Sequence, residues 1–281
     1  MRDFGVFFNP NYRKKEEVFH TIKKLHSESN FEFYALKKQM HFMPDFIKEK
    51  ADKKIDSILT FGGDGTILRA VDFALQCDAP LLGINLGKLG FLSDIDLPEL
   101  KSALKKLTVN DFKIQKRMLL HITLRRGRKD IYKAVALNDA IVYKGSVARL
   151  IDVRLYYNKL FALETRCDGV IASTPTGSTA YSLSAGGPIL FPEMEAIIVA
   201  PLNPHVLSVR PMVFSSQETI TFKVVNALQK AILQIDGENV EELQDNDRIV
   251  VKNAEKKIGF IKLTNKTFYQ ILRKKLHLGK I

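Results

Sequence analysis

The segment with the strongest chemical character is Gly62-Gly63-Asp64-Gly65-Thr66. Its glycines let the backbone approach a ligand closely, and backbone amides at the start of a helix bind phosphate oxygens. A carboxylate, Asp64, would repel such an anion unless it holds a metal ion or accepts a proton from an attacking hydroxyl. The segment therefore indicates phosphoryl transfer or, as the alternative, a turn selected only for its backbone angles.

The residues on either side of this segment predict a strand, a turn and a helix. Ile55 to Phe61 reads as a buried strand, and the apolar residues between Ile67 and Gln76 recur at helical spacing. Asp-Gly also occurs in hairpins, but a hairpin needs an alternating strand on its far side, which here is helical. We expect a strand-turn-helix corner.

A second glycine-bearing corner spans residues 83 to 92 and is too apolar to be only a solvated connection. Its glycines permit tight turns. The aromatic ring of Phe91 has two interpretations: it packs against a flat nucleotide base, or it belongs to the hydrophobic core.

A hydroxyl-rich segment runs from Asp168 to Pro188, where a buried-strand pattern is followed by seven Ser or Thr residues within positions 173 to 184. That number exceeds what helix capping requires, and it suits a polar ligand that takes many neutral hydrogen bonds. A serine nucleophile is disfavoured because the segment has no Gly-x-Ser-x-Gly elbow and no histidine placed as its base.

An amide and a carboxylate, Asn138 and Asp139, stand side by side at the end of a predicted strand. Such a pair can read the edges of a nucleobase or a ribose, and a strand-end turn explains it equally well. Both interpretations stay open at this point.

The first part of the chain, residues 1 to 110, alternates strands with helices. The predicted strands are Phe4 to Phe8, Phe31 to Leu36, Ile55 to Phe61 and Pro80 to Ile84, and the helices include 44 to 52 and 98 to 107. This order predicts an α/β domain with a parallel sheet, whose ligands lie at the carboxyl ends of the strands.

The hydrophobic period changes near residue 111. From there to residue 263, short strands with β-branched residues and turns predict a β-rich, sandwich-like domain. Residues 264 to 281 follow, and Phe268 to Leu276 is expected to form a helix that returns to the first domain.

Composition limits the possible classes of protein. The 281 residues are 46% hydrophobic and 26% charged, which is typical of globular domains. No apolar run approaches the ~20 residues of a membrane helix, and two cysteines are too few for a disulfide framework, so we expect a cytoplasmic protein that binds no membrane. The net charge of +12 comes from scattered basic residues without interleaved aromatics, which disfavours a nucleic-acid partner.

Taken together, these segments resemble the NAD kinase family. The resemblance runs over nearly the whole chain, through residues 62–66, 85–92, 137–139, 168–188 and the pair Asp236-Gly237. The first motif is shared with phosphofructokinases and diacylglycerol-type lipid kinases. The segment from Thr174 to Pro188 is the part that is specific to NAD kinases.

The resemblance implies transfer of the γ-phosphoryl group of ATP, with a divalent metal ion such as Mg²⁺ or Mn²⁺, to the 2′-hydroxyl of the adenosine ribose of NAD. It also implies an α/β domain followed by a β-rich domain with the site between them, and assembly into homodimers or homotetramers. The alternatives are a lipid or sphingoid kinase with the same glycine turn and a non-catalytic dinucleotide-binding regulator.

The resemblance further implies the site residues. Asp64 would accept the proton of the hydroxyl, and Gly65 would lie against the dinucleotide. The other positions expected to contact NAD are Phe91, Asn138, Asp139, Arg149, Arg166, Asp168, Thr179, Ala180, Tyr181, Ser182, Leu183 and Ser184. The sequence names no metal ligand.

Two residues depart from the family pattern. Asp139 stands where glutamate is common, so its shorter carboxylate must sit closer to a ligand or act through water. Glu238 follows Asp236-Gly237 where glutamine is common, and it adds a possible negative charge near the ligand.

Overall fold

The chain forms two compact units. The computed structural model describes residues 2–29, 31–87, 90–145, 149–226, 231–277 and 279. One unit combines Met1–Lys116 with Ile258–Ile281, and the other is Arg117–Lys257. Within the described ranges, every helix is too short or too polar to span a bilayer.

The first part of the chain supplies seven strands and three α-helices to the first unit. The strands are β1 (Arg2–Phe8), β2 (Phe31–Ala35), β3 (Lys48–Glu49), β4 (Ser57–Phe61), β5 (Leu81–Asn85), β6 (Ile95–Asp96) and β7 (Lys113–Arg117). The helices are α1 (Lys15–Glu28), α2 (Asp64–Cys77) and α3 (Leu100–Thr108), and short 3-10 helices span Lys37–Phe42 and Leu97–Glu99.

The middle of the chain is almost entirely β. Its strands are β8 (Leu120–Arg126), β9 (Lys129–Ala136), β10 (Asp139–Tyr143), β11 (Ile151–Tyr157), β12 (Leu160–Cys167), β13 (Gly169–Ser173), β14 (Ala196–Leu202), β15 (Met212–Ser215), β16 (Ile220–Asn226), β17 (Ala231–Ile235), β18 (Glu238–Leu243) and β19 (Arg248–Asn253). A 3-10 turn at Gly177–Thr179 leads into the short helix α4 (Tyr181–Ser184). The chain then continues through β20 (Ile258–Lys262) and α5 (Phe268–Leu276).

The first unit is built on an eight-stranded sheet in the order β3-β2-β1-β4-β5-β20-β7, with β6 also pairing with β5. The pairs among β1 to β6, and that of β20 with β5, are parallel. Alternate residues of β1, Phe4, Val6 and Phe8, join one core with α1 and α3. The intervening Gly5 lies against Phe73 of α2. Helices therefore cover both faces of the sheet, which confirms the predicted α/β architecture.

The second unit is a sandwich of two antiparallel sheets. One has the order β15-β14-β13-β10-β17-β18, and the other has the order β12-β11-β16-β19-β8-β9. Alternating apolar residues from both sheets, such as Val142, Val170 and Phe222, share one buried core. The predicted β-rich, sandwich-like half is confirmed.

The second compact unit, Arg117–Lys257, lies inside the limits of residues 111 and 263 expected for the β-rich half. β7 and β20 belong to the parallel sheet, where Phe260 pairs with Leu81 of β5. A short alternating strand carries no mark of the sheet that it joins, so its pattern alone could not separate the two possibilities. The expectation that the last helix belongs with the first unit is correct, since α5 lies in that unit.

The helix expected at residues 44 to 52 is also wrong. The short helix here is of the 3-10 type and ends at Phe42, before Pro44. Within it, the side chain of Gln39 is buried and its Nε2 donates to the carbonyl of Phe8 (3.0 Å). Lys48 then pairs with Tyr34 at the edge of the sheet. The N–H of Lys50 also donates to the carbonyl of Ala35 (2.8 Å), so the backbone of this segment bonds to the sheet instead of forming helical hydrogen bonds.

Candidate active site

The glycine turn of the first unit lies at the carboxyl end of a central strand. β4 runs parallel between β1 and β5 and ends at Phe61, and α2 begins at Asp64 with Gly63 as its extended N-cap residue. The predicted strand-turn-helix corner is therefore present. Ligands of open parallel sheets bind at this edge, and the α2 N-terminus adds the partial positive charge of its amides.

The carboxylate of Asp64 is held by the second glycine corner. Its Oδ2 accepts a hydrogen bond from the backbone N–H of Phe91 (2.9 Å), and its Oδ1 accepts one from that of Leu92 (3.1 Å). The ammonium of Lys275 in α5 lies 3.5 Å from Oδ2. The side chain keeps 28% of its surface exposed, so the carboxylate is oriented and still accessible.

Gly90 permits this contact. A Cβ built on Gly90 would stand 2.1 Å from Oδ1 of Asp64, closer than any real side chain allows. The sequence indicated glycines for tight turns in this corner, whereas the structure shows that Gly90 serves the close approach of the carboxylate. The neighbouring Lys88 and Leu89 of the motif lie outside the described residues.

The two other site residues predicted in this unit differ in surroundings. A Cβ at Gly65 would meet no described atom within 4 Å, so the turn is open at this residue. Phe91 is half-buried. The centroid of its ring lies 6.5 Å from that of the Phe268 ring and 4.7 Å from the ammonium of Lys275. Part of the Phe91 ring thus packs inside the unit, and its contact with a base stays a prediction.

In the second unit, Asn138 and Asp139 meet the hydroxyl-rich segment directly. Asp139 pairs with Ser173 across β10 and β13, and the carbonyl of Asn138 accepts hydrogen bonds from the N–H of Thr174 (2.9 Å) and the hydroxyl of Ser173 (3.1 Å). A Cβ on Gly177 would lie 2.2 Å from the same carbonyl oxygen. Glycine at 177 is therefore required for the turn to pack against Asn138.

Asp236 organises this strand end, and it was absent from the predicted site residues. Its Oδ2 accepts the N–H of Leu137 (2.8 Å), and its Oδ1 accepts those of Asn138 (2.8 Å) and Asp139 (3.1 Å). Three backbone N–H donors on one carboxylate fix the backbone from which the Asn138 and Asp139 side chains project. The available signal was the Asp236-Gly237 pair after a strand, which the family motif contains.

The carboxyl group of Asp139 lies in surroundings that disfavour its charge. The residue is only 4% exposed, and burial together with the charge of Asp236 raises its pKa to about 7. A carboxyl group with that pKa is largely protonated below neutral pH and can then donate a hydrogen bond. Ala140 belongs to the sandwich core, and neighbouring residues of a strand point to opposite faces of the sheet. Asp139 therefore lies on the outer face with Ile141.

The hydroxyls of the hydroxyl-rich segment fall into two groups. Those of Thr174, Ser178 and Thr179 donate to backbone carbonyls and shape the turn itself. Those of Thr176 and Ser182 are buried, and within the described part of the chain neither has a hydrogen-bond partner. A buried polar group without a partner is costly, and both oxygens are enclosed by the chain rather than open to a ligand.

A cavity of about 310 Å³ lies on the outer face of the same sheet. Its lining residues are Ile141, Tyr143, Lys144, Gly145, Asp168, Tyr181, Leu202, Asn203 and Gln234. Asp168 accepts from Asn203 (2.8 Å) and pairs with Lys144 (2.6 Å), and these two contacts lower its pKa. The cavity therefore presents an ionised carboxylate beside the exposed ring of Tyr181.

The candidate site residues of both units lie in segments that match known protein families. The family model of the ATP-NAD kinase N-terminal domain matches residues 2–112, and that of the ATP-NAD kinase C-terminal domain matches residues 137–263. The chain belongs to the ATP-NAD kinase family. The C-terminal family model extends past residue 257 and so includes β20, which pairs within the first unit.

Individual members of the ATP-NAD kinase family match most or all of the chain. An NAD kinase of Natranaerobius thermophilus is 37% identical, with 100% of this chain and 99% of the relative covered. An NAD kinase of Aquifex aeolicus is 36% identical over 99% and 100% of the two chains. One of Desulforamulus reducens is 43% identical over 79% of this chain and 77% of the relative.

Two solved structures of the family share the fold. The yeast NADH kinase complexed with NADH has a TM-score of 0.88 at 27% identity, covering 100% of this chain and 89% of that one. The NAD kinase from Archaeoglobus fulgidus in complex with ATP has a TM-score of 0.72 at 26% identity, covering 99% of both chains.

Two arginines expected from the ATP-NAD kinase resemblance stand apart from the cavity. Arg149 is exposed. Arg166 lies on β12 of the other sheet, and its guanidinium pairs with Asp152 at 2.8 and 3.0 Å while the side chain stays 60% exposed. Neither lines the cavity beside Asp168, so their contacts with NAD stay predictions.

The remaining residues that this family member could use for metal or thiol chemistry are limited. In the ranges that the structure describes, no three His, Cys, Asp or Glu side chains are grouped so as to hold a metal ion. Cys167 is buried, and burial raises the pKa of its thiol to about 12, which makes it unreactive at neutral pH.

Proposed function

We propose that this protein is an NAD kinase, which transfers the γ-phosphoryl group of ATP to the 2′-hydroxyl of the adenosine ribose of NAD and forms NADP and ADP. The observation that carries the proposal is the carboxylate of Asp64. It stands at the N-terminus of α2, on an open glycine turn, and two backbone N–H groups orient it. The chain belongs to the ATP-NAD kinase family, and the NAD kinase reaction fits this geometry.

Asp64 is suited to accept the proton of the hydroxyl. Each carboxylate oxygen can accept two hydrogen bonds, so the N–H bonds from Phe91 and Leu92 leave further acceptor positions. The open space at Gly65 lets a ribose hydroxyl come within reach. A general base contributes about 10²–10⁴-fold, so alignment and charge neutralisation must supply the rest of the rate.

The outer face of the second unit is suited to hold the dinucleotide. The side chains of Asn138 and Asp139, oriented by Asp236, offer an amide and a carboxyl group to the adenosine part. The hydroxyl-rich segment lies beside them, since Ser173 donates to the carbonyl of Asn138 and Gly177 packs against it. The cavity lined by Asp168 and Tyr181 provides room for a further portion of the ligand.

A divalent metal ion, Mg²⁺ or Mn²⁺, belongs to this proposal. Magnesium is usually bound through one or two carboxylates, substrate phosphates and water rather than by a cage of protein ligands. The described residues contain no three-ligand group, and Asp64 is the carboxylate at the glycine turn, so they fit an ion carried by the phosphates of ATP. Such an ion supplies charge neutralisation when bound.

The family expectation of a homodimer or homotetramer in the cytoplasm belongs to the same proposal. Light scattering on the purified protein measures the mass in solution and tests the assembly. A monomer at micromolar concentration would contradict that part alone.

The reaction is tested by incubating the purified protein with ATP, Mg²⁺ and NAD, and by detecting NADP with a dehydrogenase that accepts only NADP. We expect Asp64→Asn to lower kcat by about 10²–10⁴-fold while the protein stays folded. Asp72→Asn is the matched control, because Asp72 lies exposed on the same helix.

The outcomes separate the alternatives. NADP formation by the wild type that is lost in Asp64→Asn and kept in Asp72→Asn supports both the reaction and the role of Asp64. No NADP with several donors and metal ions would refute the proposed reaction, and a lipid acceptor or simple dinucleotide binding would be measured next. Near-normal activity of Asp64→Asn would remove Asp64 from the role of base.

A further inference from the structure

The C-terminal helix is firmly attached to the first unit. The hydroxyl of Thr267 accepts the N–H of Gln270 (3.3 Å), and Oε1 of Gln270 accepts the N–H of Thr267 (2.9 Å), which fixes the start of α5. Ile271 and Leu272 are buried. The helix axis and rotation are therefore set before its last turn, which carries three basic residues.

The residues that lead into α5 are tied to the loop that holds Asp64. Asp94, buried at 2% exposure, forms an ion pair with Lys262. It also accepts the N–H groups of Leu263 (2.6 Å) and Thr264 (3.1 Å) and the hydroxyl of Thr264 (3.0 Å). Asp94 follows Phe91 and Leu92 closely in sequence, so one loop holds both the site carboxylate and the C-terminal segment.

The last turn of α5 points one cation at the site. Lys275 lies one turn after buried Ile271 and is half-buried, whereas its neighbour Lys274 is exposed. Its ammonium is 3.5 Å from Oδ2 of Asp64 and 4.7 Å from the centroid of the Phe91 ring. The aromatic face and the carboxylate together fix the direction of the Lys275 side chain.

The geometry does not suit a role in stability alone. The two charged groups are 29% and 28% exposed and their separation is long for a hydrogen bond, and such surface pairs add little to folding. The same cation next to a carboxylate on a phosphate-binding turn has a larger effect on chemistry. It reduces the repulsion between Asp64 and incoming phosphate oxygens, and a lysine ammonium has three donors, so it can contact both.

We propose that Lys275 is a positioning residue for Asp64: its ammonium holds the carboxylate in the orientation that accepts the proton and offsets the repulsion between that carboxylate and the incoming phosphoryl group. This inference rests on the proposed NAD kinase activity. It assigns a part in catalysis to α5, which lies far from the glycine turn along the chain.

The first test compares Lys275→Met with Lys275→Arg. Methionine keeps the unbranched stem and removes the charge, so we expect kcat for NADP formation to fall by about 10²-fold, as for a misplaced catalytic group, with the KM for NAD unchanged. Arginine keeps the charge and should restore most of the loss. Lys274→Met makes the same change one residue away on the exposed face and should behave as the wild type.

The second test introduces Lys275→Met into the Asp64→Asn variant. If Lys275 acts through Asp64, the double variant is no slower than Asp64→Asn. Full multiplication of the two losses would show that Lys275 acts independently of Asp64, and a fall in the thermal midpoint of Lys275→Met that accounts for its lost activity would show a merely structural contact. Either result overturns the inference. If Lys275→Met does not fold, the comparison is made with Lys275→Gln.

The outcomes distinguish this inference from the reaction itself. A wild type that forms no NADP overturns the proposed function, and the inference with it. A wild type that is active and a Lys275→Met variant with unchanged kcat overturn the role of Lys275 alone.

Discussion

Replacing Asp139 by asparagine should stabilise the protein at neutral and alkaline pH but not in acid. Asp139 is buried beside Asp236, and its pKa in the folded chain is raised to about 7 from an ordinary value of 3.8. A raised carboxyl pKa means that the folded state binds the proton more tightly than the unfolded chain does. Folding is therefore favoured in acid and loses stability as the pH rises.

The magnitude follows from the two values. At about 1.4 kcal/mol for each unit of pH, the difference between 3.8 and about 7 amounts to ~4 kcal/mol. This cost is absent below pH 3.8, where both states are protonated, and is complete above pH 7, where both are ionised. Asparagine has the same shape and no charge, so the cost disappears in Asp139→Asn.

The assay is urea unfolding of both proteins between pH 5 and pH 9. The free energy of unfolding of Asp139→Asn, minus that of the wild type, should grow up to pH 7 and then level off. Asp247→Asn is the contrasting variant, because that buried carboxylate pairs with Arg126 (2.8 Å) and accepts the N–H of Gln244 (2.8 Å). Removing its charge should destabilise the protein by up to ~3 kcal/mol.

A difference between Asp139→Asn and the wild type that does not change with pH would refute this reasoning. It would mean that the carboxyl group of Asp139 is ionised throughout the range, through a partner that offsets its burial. A difference that falls with rising pH would be the opposite of the expected sign and would refute it equally.

Two further predictions concern the backbone contacts of the site. Gly90→Ala should lower kcat by about 10²-fold, because its Cβ would displace the Asp64 carboxylate. Gly87→Ala, whose Cβ meets no described atom within 4 Å, should leave kcat nearly unchanged, and equal losses in the two variants would contradict the steric explanation. Asp236→Ala removes the acceptor of three backbone N–H groups and should raise the KM for NAD and lower the unfolding free energy by about 1–3 kcal/mol. An unchanged KM would show that the orientation of Asn138 does not depend on it.

The elements that the sequence predicts well are those with a local signal. The change from an apolar run to helical spacing at Asp64 places the strand, the turn and α2 correctly, and Ile67, Val71 and Ala74 of the helical pattern are buried. The antiparallel half is also recognisable because strand and turn residues alternate over short distances. These features depend on neighbours within a few residues.

The features that escaped prediction depend on contacts between distant residues. Lys275 meets Asp64 across 211 positions, and Asp236 meets Asn138 across 98. No local sequence pattern indicates which turn a distant lysine contacts or which strand end a distant carboxylate binds. The sequence also did not predict that β20 joins the parallel sheet, because its alternating residues fit an antiparallel sheet equally well.

The two candidate carboxyl groups lie in different units and have opposite surroundings. Asp64 of the first unit is partly exposed and meets two N–H donors and the ammonium of Lys275. Asp139 of the second unit is buried, and burial together with the charge of Asp236 raises its pKa to about 7. In the proposed NAD kinase reaction, Asp64 is therefore the candidate proton acceptor, whereas Asp139, when protonated, can donate a hydrogen bond to an acceptor atom of the nucleotide.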